Sequence, residues 1–316
     1  MSARIVILAE IAHTSDSNAL TGASSETGVG RHLRILVAVF GLTAVLAAQP
    51  ERVVSPLPEG ITRPSYKYAS GHLAAFQRGE PPVALWDRGG RLLYEAEARL
   101  PGEGSPLVRV LDVAIGRGGR LLVAGPWSET NRGVVILDAA GNSVVAFDLY
   151  PFFPERLTLG PEGNLWVLGR RTTGPGKPGI WLNKYSLGGE QLLAVRIPVA
   201  GAAKSGYLGA SNTGLGIWFA GAAAWFTLSP AGKIIERLRL RPPGGQPARF
   251  TFSAAGEIYA DAGALYRYDR RAHRWRSVPD VLPEPMPPAE LIGADGPRLI
   301  YRLRGTEALE LLRLPH

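Results

Sequence analysis

From about residue 51 to the end, apolar residues fall in short runs, alternating or continuous, separated by turns rich in glycine. That is the strand-and-turn signature of an all-β chain. The runs recur in two forms that alternate along the sequence. The first is a strand, a glycine turn and a second strand that ends in glycine. It occurs as Arg156–Gly169 (RLTLGPEGNLWVLG), Tyr207–Gly221, Arg249–Gly263 and, more loosely, Val110–Gly125. The closing glycines Gly125, Gly169, Gly221 and Gly263 are 44, 52 and 42 residues apart. The second form is a strand, a turn with glycine and a longer strand. It occurs as Val83–Leu100, Val134–Leu149, Ile180–Ile197 and Ala224–Leu240, with Leu265–Val278 a version that lacks the glycine.

Each form predicts a β-hairpin, and two hairpins in succession make one four-stranded blade of a β-propeller. A proline closes each unit, at Pro101, Pro151, Pro198, Pro242, Pro279 and Pro315, with spacings of 50, 47, 44, 37 and 36. Proline stops an outer strand because it has no amide hydrogen to give to the ladder. The fold expected is therefore all-β: a six-bladed propeller of four-stranded antiparallel blades over residues 51–316. Tyr66–Gln77 supplies the first hairpin of the first blade. The last blade offers only Ala289–Gly293, Arg298–Leu303 and Glu307–Leu314, so its fourth strand is expected from the N-terminal side, at Arg52–Ser55. That strand would lock the ring and remove an exposed sheet edge.

The N-terminal region departs from this pattern. Residues 1–30 form a leader whose second half is polar, and a start codon assigned too far upstream would account for it. Arg31-His32-Leu33-Arg34 is basic and is followed by an unbroken apolar run from Ile35 to Ala48. A basic segment, an apolar core and a small-residue end over 31–48 predict a cleavable signal peptide, too short for a membrane span of about 20 residues. The expected location is periplasmic or extracellular, as a monomer with no stable membrane anchor after cleavage. The chain has no cysteine, which excludes disulfides, thiol nucleophiles and cysteine-based zinc sites. The net charge of +8 comes mostly from arginines that are scattered rather than blocked, so nucleic acid is not an expected partner.

The segment Glu162-Gly163-Asn164-Leu165-Trp166-Val167-Leu168-Gly169 resembles the core motif of NHL-type six-bladed propellers, a glycine, an aromatic between apolar residues and a closing glycine. Gly216–Gly221 (GIWFAG) and Gly256–Gly263 (GEIYADAG) are near-matches, and the Asp138-Ala139-Ala140-Gly141 turn is similar to the family's second hairpin. The resemblance covers about residues 60–316. It implies the fold more than a function: relatives bind proteins, RNA or glycans, and a few are metal-dependent lyases or lactonases.

Catalytic chemistry has few candidates in the residues themselves. Of five histidines, only His72 and His273 belong to the propeller and precede the terminal residue, and no pair has metal-ligand spacing. Glu155, Asn212, Glu290 and Asp112 are placed near the starts of inner strands, where a lactonase-like site would gather oxygen ligands for a metal ion. No metal or cofactor is assigned, and no catalytic residue. Gly116-Arg117-Gly118-Gly119 reads as a hairpin turn, and Arg267–Arg276, with interleaved aromatics, as a strand pair with one solvated face. The loops carry more. Connections from second to third strand share one face with connections between blades, and the two longest of the former, Pro126–Arg132 and Arg170–Pro178, flank Phe152 and Phe153. Trp127, Arg132, Phe152, Phe153, Arg170, Arg171 and Lys177 thus form the candidate ligand rim, since aromatics with arginines anchor interfaces and stack on sugars. The expected function is binding of a protein or glycan ligand without catalysis. The alternative is a metal-dependent lactonase- or lyase-like enzyme with its site at the mouth of the central channel.

Overall fold

The computed structural model describes residues 51–55, 61, 64–171, 179–199, 204–245, 248–278, 289–295, 298–303 and 309–315. The leader, the signal segment, Pro279 and Lys177 lie outside the described residues. Within them the glycine-punctuated runs become strands. β1 is Glu51–Ser55. β2–β5 are Ser65–Ala69, His72–Phe76, Pro82–Trp86 and Leu92–Glu97. β6–β9 are Asp112–Ile115, Leu121–Pro126, Arg132–Leu137 and Ser143–Asp148. β10–β13 are Phe152–Leu159, Leu165–Arg171, Gly179–Tyr185 and Gln191–Arg196. β14–β17 are Ser205–Ala210, Leu215–Phe219, Ala224–Leu228 and Ile234–Arg239. β18–β21 are Arg249–Phe252, Ile258–Asp261, Leu265–Asp269 and Arg274–Ser277, and β22–β24 are Ala289–Asp295, Arg298–Leu303 and Leu309–Pro315.

These strands pair into six four-stranded antiparallel sheets, five of them sequential meanders. The sixth has the order β1-β24-β23-β22, so β1 joins the last sheet as its outermost strand, with Val53 opposite Leu311. The expected closure by Arg52–Ser55 is present. The first strand of each sheet packs against the first strands of its two neighbours, and β22 packs against β2, which closes the circle. Prolines 101, 151, 198 and 242 follow the outer strands β5, β9, β13 and β17, as the sequence pattern requires.

The reason for the ring lies in the second and third strands. Leu121–Pro126, Leu215–Phe219 and Ala224–Leu228 are buried at every position. A strand buried on both faces needs a sheet against each. The outer strands are more exposed; Ile234–Arg239 has every second residue exposed. Apolar clusters lie between neighbouring sheets, as where Leu168, Ile180 and Leu182 meet Leu215, Ile217 and Phe226. The seam is one such cluster: Val53, Ile300 and Leu311 pack with Leu73, Ala84 and Trp86 of the first sheet. Gly90 makes room there, for it has φ +82° and a Cβ on it would lie 2.1 Å from Val53 Cγ1.

On this geometry Val53→Asp should lower unfolding free energy by about 3 kcal/mol, because it puts a carboxylate into an apolar seam. Val54 is 57% exposed against 8% for Val53, so Val54→Asp should leave stability nearly unchanged. Urea melts of the two variants check the contrast.

Burial between the sheets also raises the pKa values of several tyrosines, among them Tyr94, Tyr259 and Tyr301. Desolvation is the leading cause in each. Above the ordinary value of 10.0, the unfolded chain sheds phenolic protons that the folded chain retains, so stability falls as pH rises. Lys67 is the described lysine with a lowered pKa, mainly from burial, and acts in the opposite sense. Tyr66, Tyr185, Tyr207 and Tyr268 are raised too, and the tyrosines outweigh it. The melting temperature should therefore decline between about pH 9 and pH 11. A rise over that window, read by circular dichroism, would contradict the assignment.

Candidate functional site

The six first strands surround a central cavity of about 1000 Å³. At its neck Lys67, on β2, reaches across to the next two sheets. Its Nζ donates to Asp112 Oδ2 at 2.6 Å, to the Val113 carbonyl at 2.8 Å and to the Leu157 carbonyl at 2.7 Å. These fill the donor capacity of an ammonium. Asp112 Oδ2 also accepts from the Leu157 amide at 2.7 Å. One lysine and one carboxylate therefore join three successive first strands. The Asp112 side chain is 1% exposed, and its other oxygen, Oδ1, is buried and has no protein partner.

Around this neck, on the face where the first strands begin, lies a second cleft of about 740 Å³. Arg78, Arg109, Arg156, Arg170 and Lys204 line it, together with one carboxylate, Glu155. Glu155 is held at both oxygens, by Arg170 Nε at 2.5 Å and by the Ser205 hydroxyl at 2.7 Å. Arg156 donates to the carbonyls of Glu155 at 2.8 Å and Ser205 at 3.1 Å. Arg78, Arg109 and Lys204 differ: their side chains form no hydrogen bond or ion pair among the described residues. Arg78 and Arg156 line both the cleft and the central cavity, so they stand where the two meet. Desolvation by the surrounding protein lowers the Arg78 pKa, and the Arg156 charge adds to it; Asp112 and Glu155 oppose the shift. Across the neck, Glu290 is ion-paired with Arg249 and lies 3.6 Å from Arg302, whose guanidinium is 4.7 Å from the Tyr66 ring centroid.

The proposed rim residues have several positions. Phe152 and Phe153 pair in register with Arg171 and Arg170, so these four do lie side by side. Phe152 is buried in the core. Phe153 carries the Arg132 guanidinium 3.6 Å over its ring. Trp127 packs on the core between the first two blades and over Gly133. Arg171 lies 5.2 Å over Trp181. Arg170 belongs to the cleft through Glu155, and Lys177 lies outside the described residues.

Asp112, Glu155 and Glu290 stand near the starts of first strands as expected, whereas Asn212 follows the end of β14, on the other side of the ring. His72 opens β3 and its Nδ1 is 2.8 Å from the Ser70 carbonyl oxygen; His273 occupies the turn between β20 and β21, the third and fourth strands of the fifth meander. Among the described residues no three His, Cys, Asp or Glu side chains gather as metal ligands. Gly116–Gly119 makes a short 3-10 turn before β7. In the Arg267–Arg276 pair the arginines at 267, 274 and 276 are exposed while Tyr268 and Trp275 meet edge to face at 5.2 Å.

Arg78, Arg109 and Lys204 were not reached from the sequence. The rule that second-to-third and blade-to-blade connections share a face does contain them, since each lies in such a connection. Arg78 lies in a short loop, and Arg109 and Lys204 lie between blades, where the length of a connection does not mark a binding residue.

Comparison with solved structures agrees with the sheet geometry. A Bacteroides fragilis protein described as exported superposes with a TM-score of 0.56 at 9% identity, over 85% of this chain and 95% of that one. A streptogramin B lyase superposes with a TM-score of 0.51 at 17% identity, over 78% and 77%. A Bacteroides caccae protein of unknown function gives 0.50 at 13%, over 77% and 90%. The chain is a β-propeller. At these identities the likeness speaks for the fold alone, and no family model or curated protein matches the sequence. Among the described residues of the propeller, no helix is long and apolar enough to cross a membrane.

The neck joint gives a test. Lys67→Met leaves Asp112 buried without its cation and should cost about 3 to 5 kcal/mol in urea unfolding. Adding Asp112→Asn should restore much of that loss. A Lys67→Met propeller as stable as the parent would show that the joint is dispensable.

Proposed function

We propose that the chain is an exported, NHL-type six-bladed propeller that binds a ligand without transforming it. Its ligand, a protein or glycan, is acidic, and its site is the cleft at the mouth of the channel. One observation carries the reading: five cationic side chains line that cleft against a single carboxylate, which Arg170 already holds. Clefts of one sign between low-dielectric walls focus their field and draw in ligands of the opposite sign. The rim at Trp127, Arg132, Phe153 and Arg171 extends the same face. Export is supported by the basic and apolar segment over 31–48 and by the exported neighbour. The NHL assignment is supported by glycines at the entries to the second strands β11, β15 and β19, each followed by an aromatic residue between apolar ones.

The alternative, a metal-dependent lactonase- or lyase-like enzyme, asks for carboxylates at the mouth that are free to hold an ion. Asp112, Glu155 and Glu290 are each ion-paired, with Lys67, Arg170 and Arg249. The binding reading therefore has the better support.

Biolayer interferometry of the full chain against immobilised polygalacturonate, heparin and polyglutamate tests it. Binding to at least one polymer is expected, weakening as salt is raised. Arg109→Glu with Lys204→Glu should weaken that binding about 10-fold or more. No binding to any of the three at low salt would overturn the proposal.

A further inference from the structure

We infer that the junction of cleft and channel recognises a sugar acid, with Arg78 taking the carboxylate and Asp112 Oδ1 accepting a hydroxyl of the same sugar ring. This inference rests on the cleft being the ligand site and adds the chemical class of the ligand. Two observations point to it. Arg78 presents a guanidinium with no hydrogen bond or ion pair among the described residues, at the boundary of the two cavities. A guanidinium with its donors free matches a carboxylate in two parallel hydrogen bonds. Asp112 lines the central cavity just behind it, and its Oδ1 is a buried carboxylate oxygen without a partner. A buried acceptor of this kind costs stability until a donor reaches it.

The two groups select against simpler ligands. A plain anion satisfies Arg78 but offers Asp112 nothing except repulsion. A neutral sugar satisfies Asp112 but leaves Arg78 unmatched. A hydroxylated ring that bears a carboxylate serves both. The cavity wall continues this preference for mixed donors and acceptors, since the Tyr66 hydroxyl and the Trp218 indole nitrogen are also buried without partners and both residues line it. An acidic peptide presents carboxylates on apolar stems and lacks ring hydroxyls. The ligand is thus a uronate, either free or as a residue of an acidic polysaccharide.

Isothermal titration of the full chain tests this with four probes: galacturonate, oligogalacturonate, galactose and cyclohexanecarboxylate. Galactose keeps the hydroxyls and loses the charge; cyclohexanecarboxylate keeps the ring and charge and loses the hydroxyls. Galacturonate or its oligomer should bind about 10-fold or more tightly than either control. Preference for the monomer indicates a free sugar acid, and preference for the oligomer a polysaccharide; both outcomes support the inference. Arg78→Gln, at an exposed residue, should erase the advantage over galactose. Asp112→Asn should reduce the advantage over cyclohexanecarboxylate, because a neutral amide donor replaces the charged acceptor Oδ1. Should Asp112→Asn fail to fold, the wild-type and Arg78→Gln titrations decide alone. The inference falls if cyclohexanecarboxylate matches the uronates, if hexaglutamate binds more tightly than oligogalacturonate, or if Arg78→Gln keeps the preference. Polyanion binding in the interferometry without any uronate preference would sink this inference and leave the broader reading standing.

Discussion

A sheet that is apolar on both faces cannot stand alone, and this constraint governs the whole molecule. Strands such as Leu215–Phe219 and Ala224–Leu228 are buried throughout, so each sheet needs a neighbour on either side. A row of such sheets would still leave two wet apolar faces at its ends. Closing the row removes both. The last sheet lacks one strand of its own and takes it from Glu51–Ser55, whose Val53 enters the cluster with Trp86 and Leu73 of the first sheet. Closure at the periphery is thus a packing event, driven by apolar area.

Closure at the axis is polar. Lys67, Asp112 and the Leu157 amide and carbonyl tie three first strands together where their backbones converge. Partners in these contacts are 45 to 90 residues apart in sequence, about one or two blades. Glu155 and Ser205, 50 residues apart, repeat the arrangement one blade on. The neck therefore juxtaposes structurally equivalent positions of successive blades. Its chemistry is decided by single residues, each contributed by one repeat, while the apolar contacts that hold the sheets together lie elsewhere.

The sequence made the architecture readable because its signals are local. A glycine turn between apolar runs marks a hairpin wherever it occurs, and Pro101, Pro151, Pro198 and Pro242 mark the outer strand ends. Even the strand at Arg52–Ser55 could be found, by noting that the last blade was one strand short. The site was less readable because the same residue types serve packing and binding. Phe152 is core, Trp127 covers Gly133, and Phe153 is capped by Arg132. Nothing in a run of letters separates these from a stacking platform. Conversely, Arg78 and Lys204 sit in connections that draw no notice until the ring brings them to one mouth. Arg170 was legible as a member of the rim, and the structure adds its pairing with Glu155.

The closing strand has a consequence for the order in which the molecule takes shape. Residues 51–55 leave the ribosome first among the propeller strands and must wait for residues 309–315, the last, before they can pair. Until then the early sheets can stack, but the ring stays open and the seam stays wet. Joining ends so distant adds little entropy cost beyond that of a shorter loop, since the penalty grows only with the logarithm of length. The delay is therefore kinetic: a growing or threading chain remains pliable over its whole length and becomes a finished object only when its final strand arrives.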